Sequence, residues 1–281
     1  MAKTVIKASG REEDFDLQKL INSLVRSGAP QDVAQDIAEK VGIQISPSSH
    51  TRHIYRLARR MLKKYNHVSG LKYSIKKAIS LLGPSGYPFE KYFGKILTAY
   101  GYTVELNRII DGYCVQHEVD IVASNDKEQC FIECKYHTEG GKATDVKVAL
   151  YVHSRFRDIK KAVEMKKDKT IAKQGWLVTN TRCTSDAIKY AECVGLRIVS
   201  WRYPGEASLE KMIEDKRLYP VTILSSVKRQ SLDMLFSNNI VLAQEIADMD
   251  EETFIKKSGL DAKTARTLKA EADKLCPCKK D

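Results

Sequence analysis

No run of apolar residues in this chain is long enough to cross a bilayer. The hydrophobic residues, 43% of the total, are interrupted by charge throughout, and a span needs roughly 20 in succession. The opening Met1-Ala2-Lys3-Thr4-Val5-Ile6-Lys7 lacks the apolar stretch of a secretory signal. Cysteines number seven, an odd count scattered through apolar segments. That speaks against a disulfide framework and for reduced thiols in the cytoplasm. Cys276-Pro277-Cys278 has no second Cys or His pair nearby to complete a metal site. The most pointed lack is of acid: from Lys40 to Phe89 there is no Asp or Glu, while ten Lys or Arg fall there. A solvated helix face normally mixes signs. With a formal net charge of +11, this one-signed stretch points to a polyanionic partner, DNA or a nucleotide.

At 281 residues there is room for two or three domains, each with its own core. Three blocks emerge. The first, residues 1–83, opens with a strand at Thr4 to Ala8. A helix follows with Leu17, Leu20, Ile21, Leu24 and Val25 at helical spacing. A second helix carries Val33, Ile37 and Val41. A third places Ile54, Leu57, Ala58, Met61, Leu62 and Tyr65 on one face and Arg52, Arg56, Arg59, Arg60 and Lys63 on the other. A fourth is expected from about Leu71 to Leu82. Gly83-Pro84-Ser85-Gly86 breaks the chain.

The second block, residues 84–217, reads αβββαβαβ. Its first helix carries Phe89, Tyr92, Phe93, Ile96, Leu97 and Tyr100. Strands are expected at about Tyr102 to Ile110, Val115 to Ala123 and Gln129 to Lys135. A long helix then spans about Asp145 to Lys166. A strand at Gly175 to Thr179, a helix at Ser185 to Cys193 and a strand at Leu196 to Trp201 complete it. The third block, residues 218–281, is helical, with Ser258-Gly259-Leu260 as a tight joint between its last two helices.

Charge inside two of these strands is what points to chemistry. His117-Glu118-Val119-Asp120-Ile121-Val122-Ala123 and Cys130-Phe131-Ile132-Glu133-Cys134-Lys135 are both strand-like. Glu133 and Lys135 sit two apart and share a face. If the strands pair, Asp120 meets them. Two carboxylates and an ammonium at one point can hold Mg²⁺ and activate water against a phosphodiester. The bland alternative is charge at strand ends, a common and uninformative feature. His117, alone at a strand start, reads as structural. Lys147, His153, Arg155 and Arg157 on the long helix read equally as substrate contacts or as a solvated face.

The second block resembles the restriction-endonuclease-like superfamily, written PD-(D/E)xK, and within it the Mrr-type branch. The residues that carry the resemblance are Glu90 in Pro88-Phe89-Glu90, Asp120 in Glu118-Val119-Asp120, and Glu133-Cys134-Lys135. Val119 stands where the signature has Pro. The resemblance implies that Asp120, Glu133 and Glu90 hold Mg²⁺ or Mn²⁺, and that Lys135 orients the attacking water.

The first block resembles the ATP-cone, a nucleotide-sensing domain. It does so through Val5-Ile6-Lys7-Ala8-Ser9-Gly10, then Phe15-Asp16-Leu17-Gln18-Lys19-Leu20, and later Thr51, Ile54 and Ala58. The resemblance implies ATP or dATP contacts from Val5, Lys7, Glu13, Asp16, Lys19 and Thr51. Ala8-Ser9 replaces the family's Arg-Asp and so removes a bidentate phosphate ligand; Lys76 or Lys77 is the substitute charge. The third block loosely resembles helix-hairpin-helix modules, through Ser258-Gly259-Leu260 followed by Lys263, Thr264 and Arg266.

The expected fold is multidomain, α+β and α/β: a helical ATP-cone, a restriction-endonuclease-like αβββαβ core and a small helical C-terminal domain. The expected function is a cytoplasmic, Mg²⁺-dependent DNA endonuclease acting on double-stranded DNA. An adenine nucleotide would regulate it, a homo-oligomer is compatible, and no membrane is involved. Two rivals stand beside it. One is a nucleotide-responsive DNA-binding protein with an inactive nuclease core. The other is a nuclease for branched DNA or RNA.

Overall fold

The computed structural model describes residues 3–7, 10–139, 141–165 and 172–277. Ala8 and Ser9, the departure in the cone-like pattern, lie outside the described residues, as do Lys166 and Cys278. Two compact units account for the chain's internal packing. One holds Met1–Ala78 together with Val221–Asp281, and the other is Ile79–Pro220.

The first unit begins with β1 (Thr4–Ile6), β2 (Glu12–Asp14), α1 (Leu17–Arg26), α2 (Gln31–Gln44), β3 (Ser49–His50), α3 (Thr51–Tyr65), α4 (His67–Lys72) and α5 (Ile75–Ile79). Asp16 starts α1 by accepting the Lys19 amide at 2.9 Å. Leu20, Ile21 and Leu24 of α1, Ile37 and Val41 of α2, and Leu57 and Leu62 of α3 close one core with Val5. Each such side chain contributes about 1.5–3 kcal/mol by leaving water. The three short strands form a sheet in the order β2-β1-β3. β2 and β3 escape the sequence reading because they are only three and two residues long, and Glu12-Glu13-Asp14 has poor strand propensity.

The single helix expected over Leu71 to Leu82 is in fact two. Asn66 caps the Ser69 amide at 3.0 Å and starts α4 early. Ser74 then donates to the Gly70 carbonyl at 3.1 Å and accepts from Arg59, which bends the chain at Tyr73-Ser74.

The second unit contains α6 (Tyr87–Ala99), β4 (Thr103–Asp111), β5 (Gln116–Ser124), β6 (Glu128–Lys135), β7 (Ala143–Thr144), α7 (Val146–Met165), β8 (Ala172–Thr179), β9 (Arg182–Cys183), α8 (Ser185–Val194), β10 (Arg197–Val199) and α9 (Leu209–Lys216). The expected αβββαβαβ order is present, with β7 and β9 added as a separate parallel pair. The main sheet runs β10-β8-β6-β5-β4. Its β4-β5-β6 half is antiparallel and its β6-β8-β10 half parallel. α7 and α8 pack on one face through Ala149, Val152, Ala187 and Ala191 against Leu177 and Ile198. Ile159 of α7 continues that layer over Val119, Val122 and Phe131. α6 packs against β4 and β5, and its buried Tyr92 hydroxyl donates to the Leu218 carbonyl at 2.7 Å.

The first unit resumes with α10 (Arg229–Ser237), α11 (Ala243–Asp248), α12 (Glu251–Ser258) and α13 (Ala262–Leu275). Thr222 fastens this segment by donating to the Ala78 carbonyl at 2.6 Å. Gly259, at φ 68°, ends α12 in the left-handed conformation that a tight helix joint requires. Asp261 starts α13 by accepting the Thr264 amide at 2.9 Å. Among the described residues, no helix is long and apolar enough to cross a membrane.

Candidate active site

β5 and β6 pair down to Ile121 opposite Ile132. Asp120 and Glu133 are the next residues on each strand, just past the last pair of the ladder. Glu133 follows Phe131 at a two-residue step on the face that carries α7, and Asp120 reaches β6 at the Cys134 amide. Lys135 lies two residues beyond Glu133 on that same face and pairs with Thr179 of β8. Glu90 arrives from the first turn of α6. A Cβ built on Gly86 would lie 3.7 Å from both Glu90 Oε1 and Tyr136 Cβ, which fixes the start of α6 beside the end of β6. The four residues singled out as catalytic therefore belong to three elements that meet at one end of the sheet.

Their charges are only partly offset. Asp120 Oδ2 accepts the Cys134 amide at 2.7 Å. Glu133 Oε2 accepts Arg155 Nη1 at 2.5 Å. Burial pushes the Glu90 carboxyl up to about 7, and Asp120, Glu133 and Glu118 add to the rise. Glu133 is also pushed up to about 7, by burial first and Asp120 second, against the opposing pull of Arg155 and Lys135. Asp120 is raised by burial, with the Cys134 amide and Arg155 working the other way. Lys135 is exposed.

Three mutually repelling carboxylates are the donor chemistry that Mg²⁺ or Mn²⁺ takes. As the side chains stand, no three His, Cys, Asp or Glu groups among the described residues are drawn together enough to hold a metal. The reason is local: Asp120 is turned to a backbone amide and Glu133 to Arg155.

Arg155 is the α7 residue that reaches the carboxylates. His153 instead bonds the Tyr190 hydroxyl at 2.7 Å, and Lys147 and Arg157 are exposed. His117 pairs with Asp158 at 2.8 Å. His137 and Asn180 carry no motif and are invisible in the sequence. The Asn180 side chain accepts the His137 amide and donates to its carbonyl, both at 2.8 Å, which pins the chain just past Lys135.

The residues matched to the cone divide. Val5 is buried in the core at 3% exposure. Lys7 pairs with Glu13 at 2.5 Å, and Lys19 with Asp16 at 3.5 Å. Lys76 is exposed on α5. Thr51 lines a pocket of ≈ 610 Å³ with Ser48, Ser49, His50, Arg52 and Arg56. On α3, Arg59 and Lys63 do not join a free basic face as expected. They are half-buried and donate to Ser74 and, at 3.2 Å, to Ser225. The exposed stripe is Arg52, Arg56, Arg60 and Lys64.

Comparison with known proteins agrees with the central sheet. Residues 82–202 match the restriction endonuclease family Mrr_cat. Residues 219–276 match the family described as AF1548-like, C-terminal. An uncharacterized protein of Archaeoglobus fulgidus is 36% identical over 181 residues, covering 64% of this chain and 98% of its own length. A crystal structure titled as the protein of unknown function AF1548 superposes with a TM-score of 0.58 at 35% identity, over 67% of this chain and 97% of that one. The chain belongs to the family of that Archaeoglobus protein, and within it carries an Mrr-type restriction endonuclease domain followed by an AF1548-like C-terminal domain.

Proposed function

We propose that the protein is a metal-dependent DNA endonuclease whose phosphodiester hydrolysis occurs at Glu90, Asp120, Glu133 and Lys135. What supports this reading is that, within the segment that matches the restriction endonuclease family, Asp120, Glu133 and Lys135 lie just past the last pair of the β5–β6 ladder, and the buried Glu90 carboxyl is raised further by Asp120 and Glu133. Mg²⁺ or Mn²⁺, held by Asp120, Glu133 and Glu90, would lower the pKa of water and offset phosphate charge. The Lys135 ammonium adds a point charge that favours hydroxide beside the attacked phosphate. Arg155 must release Glu133 for that carboxylate to become a ligand, and its guanidinium is then free for a phosphate oxygen. The test is incubation with a panel of supercoiled, linear duplex and forked DNA, with and without Mg²⁺ or Mn²⁺, in which cutting of any one member counts. Strand scission only with metal is the expected result.

The N-terminal segment is read as the regulatory site for ATP or dATP. The pocket at the start of α3 supports this. Its described lining holds two arginines, two histidines, two serines and Thr51, with no acid. His50 gives α3 no side-chain cap, so first-turn amides remain to receive an anion. Lys7 and Lys19 reach phosphates by exchanging their present partners Glu13 and Asp16. Calorimetry with ATP and dATP tests binding. Cleavage rates with each nucleotide test regulation, which requires different affinities for two states of the protein.

A further inference from the structure

The turn between β4 and β5 is held by one carboxylate of α7. Asp158 accepts the amides of Cys114 at 3.0 Å and Val115 at 3.4 Å, and pairs with His117 Nε2 at 2.8 Å. Its backbone carbonyl accepts the Tyr113 amide at 3.1 Å. Gly112 packs so closely that a Cβ there would run into the Asp158 carboxylate. Only glycine fits this approach. The turn is therefore fixed in place, and it presents Tyr113.

Between this turn, α7 and Tyr190 of α8 lies an open groove of ≈ 850 Å³, within the size range of nucleotide and cofactor sites. Arg155 forms part of its wall while bonding Glu133, so the groove adjoins the carboxylate site. Tyr113 and Tyr151 are large aromatic rings left 49% and 56% exposed. Cations stand beside both: Lys161 Nζ is 3.7 Å from the Tyr113 ring centre, and the Arg155 guanidinium is 5.2 Å from that of Tyr151. Arg157 adds an exposed cation. The acid in the described lining, Asp158, is already taken up by His117 and the turn amides. A polyanion with a flat apolar part suits such a surface. In duplex DNA the base faces are covered by their neighbours and cannot lie on tyrosine. An unpaired base can, and exposed rings flanked by cations are how proteins bind single strands.

We propose that this groove binds an unpaired nucleotide of a DNA strand beside the phosphodiester to be cleaved. Its base lies on Tyr113 or Tyr151 and its phosphates face Arg157 and Lys161. The proposal rests on the nuclease reading and narrows it: the substrate is DNA with an unpaired segment, such as a fork, flap or gap.

The test is anisotropy of labelled oligonucleotides without divalent metal, using the full chain. A single-stranded DNA, its blunt duplex, a fork and a single-stranded RNA of the same sequence are compared. Tyr113→Ala with Tyr151→Ala should weaken single-strand and fork binding roughly tenfold or more, the size of losing a stacked base, and leave the duplex unchanged. Tyr113→Phe with Tyr151→Phe should restore the wild-type affinities. Affinities that ignore the tyrosines, an equal loss on the duplex, or RNA bound more tightly than DNA would overturn the groove assignment. Wild-type cleavage in Mg²⁺ is scored separately. Cutting with tyrosine-independent binding removes the groove alone; tyrosine-dependent binding without any cutting removes the nuclease reading alone.

Discussion

Arg155 donates to Glu133 at 2.5 Å from a position where both side chains are largely buried, 15% and 24% exposed. The guanidinium lowers the pKa of Glu133, so its removal lets that pKa rise further. Arg155→Ala should destabilise the metal-free protein by about 1–3 kcal/mol at about pH 8, where Glu133 is ionised. At about pH 5 the loss should shrink, because a protonated Glu133 no longer needs the cation. Urea unfolding at the two pH values measures both. Arg155→Lys should recover little, since lysine lacks the planar fork.

The metal-free protein should lose stability as pH rises from about 4.5 to about 7. Glu90 and Glu133 have folded pKa values near 7 against 4.5 for the free side chain. A raised folded pKa means stability that is full below the unfolded value and is lost as pH passes the folded one. The two groups and Asp120 titrate as one coupled set. Thermal melts of wild type and a Glu90→Gln, Glu133→Gln variant should diverge across this range. Mg²⁺ should reverse the wild-type loss above about pH 7 and release protons when added below it.

DNA binding should weaken steeply with salt, with a log–log slope of about −0.9 for each phosphate neutralised. On α3 the exposed stripe is Arg52, Arg56, Arg60 and Lys64. Arg60→Gln with Lys64→Gln leaves out the two arginines of the adjacent pocket. The slope should become shallower by about 0.9 for each phosphate that these side chains neutralise in the wild type. An unchanged slope would assign the stripe to solvent.

Arg56→Gln with Thr51→Ala should weaken ATP and dATP binding if the pocket at the start of α3 is the nucleotide site. Both side chains line it, and Thr51 opens α3. Calorimetry on the variant reads the change, and an affinity equal to wild type would move the site elsewhere.

The order of elements in the second unit is legible because each carries its own period. Phe89, Tyr92, Phe93, Ile96 and Leu97 are all buried along α6, and Ile121-Val122-Ala123 of β5 and Cys130-Phe131-Ile132 of β6 form buried apolar centres of their strands. That Asp120 and Glu133 come at the same end of a paired ladder follows from the two adjacent strand segments. Arg155 is not legible as Glu133's partner, because a cation on an amphipathic helix has no signature until the sheet register is known. The tie between Asp158 and the β4–β5 turn spans more than forty residues and rests on Gly112, which in the sequence reads only as a turn. The bend at Ser74 depends on side-chain bonds to Gly70 and Arg59 that override an unbroken helical pattern. The return of the chain from Val221 into the first unit leaves no local trace either, since Thr222 and Ala78 lie far apart in sequence.

Asp120→Ala gives the most direct test of the carboxylate cluster as a hydrolytic centre. Cleavage rate in Mg²⁺ and DNA affinity without metal should be measured on the same preparations of wild type and variant. The rate should fall by more than the roughly 10–100-fold that changes around a metal site typically cost. Affinity should hold, because the change removes a metal ligand and leaves the phosphate-binding cations in place. A variant that cuts at the wild-type rate would contradict the assignment of Asp120, and with it the carboxylate site where the β5–β6 ladder ends.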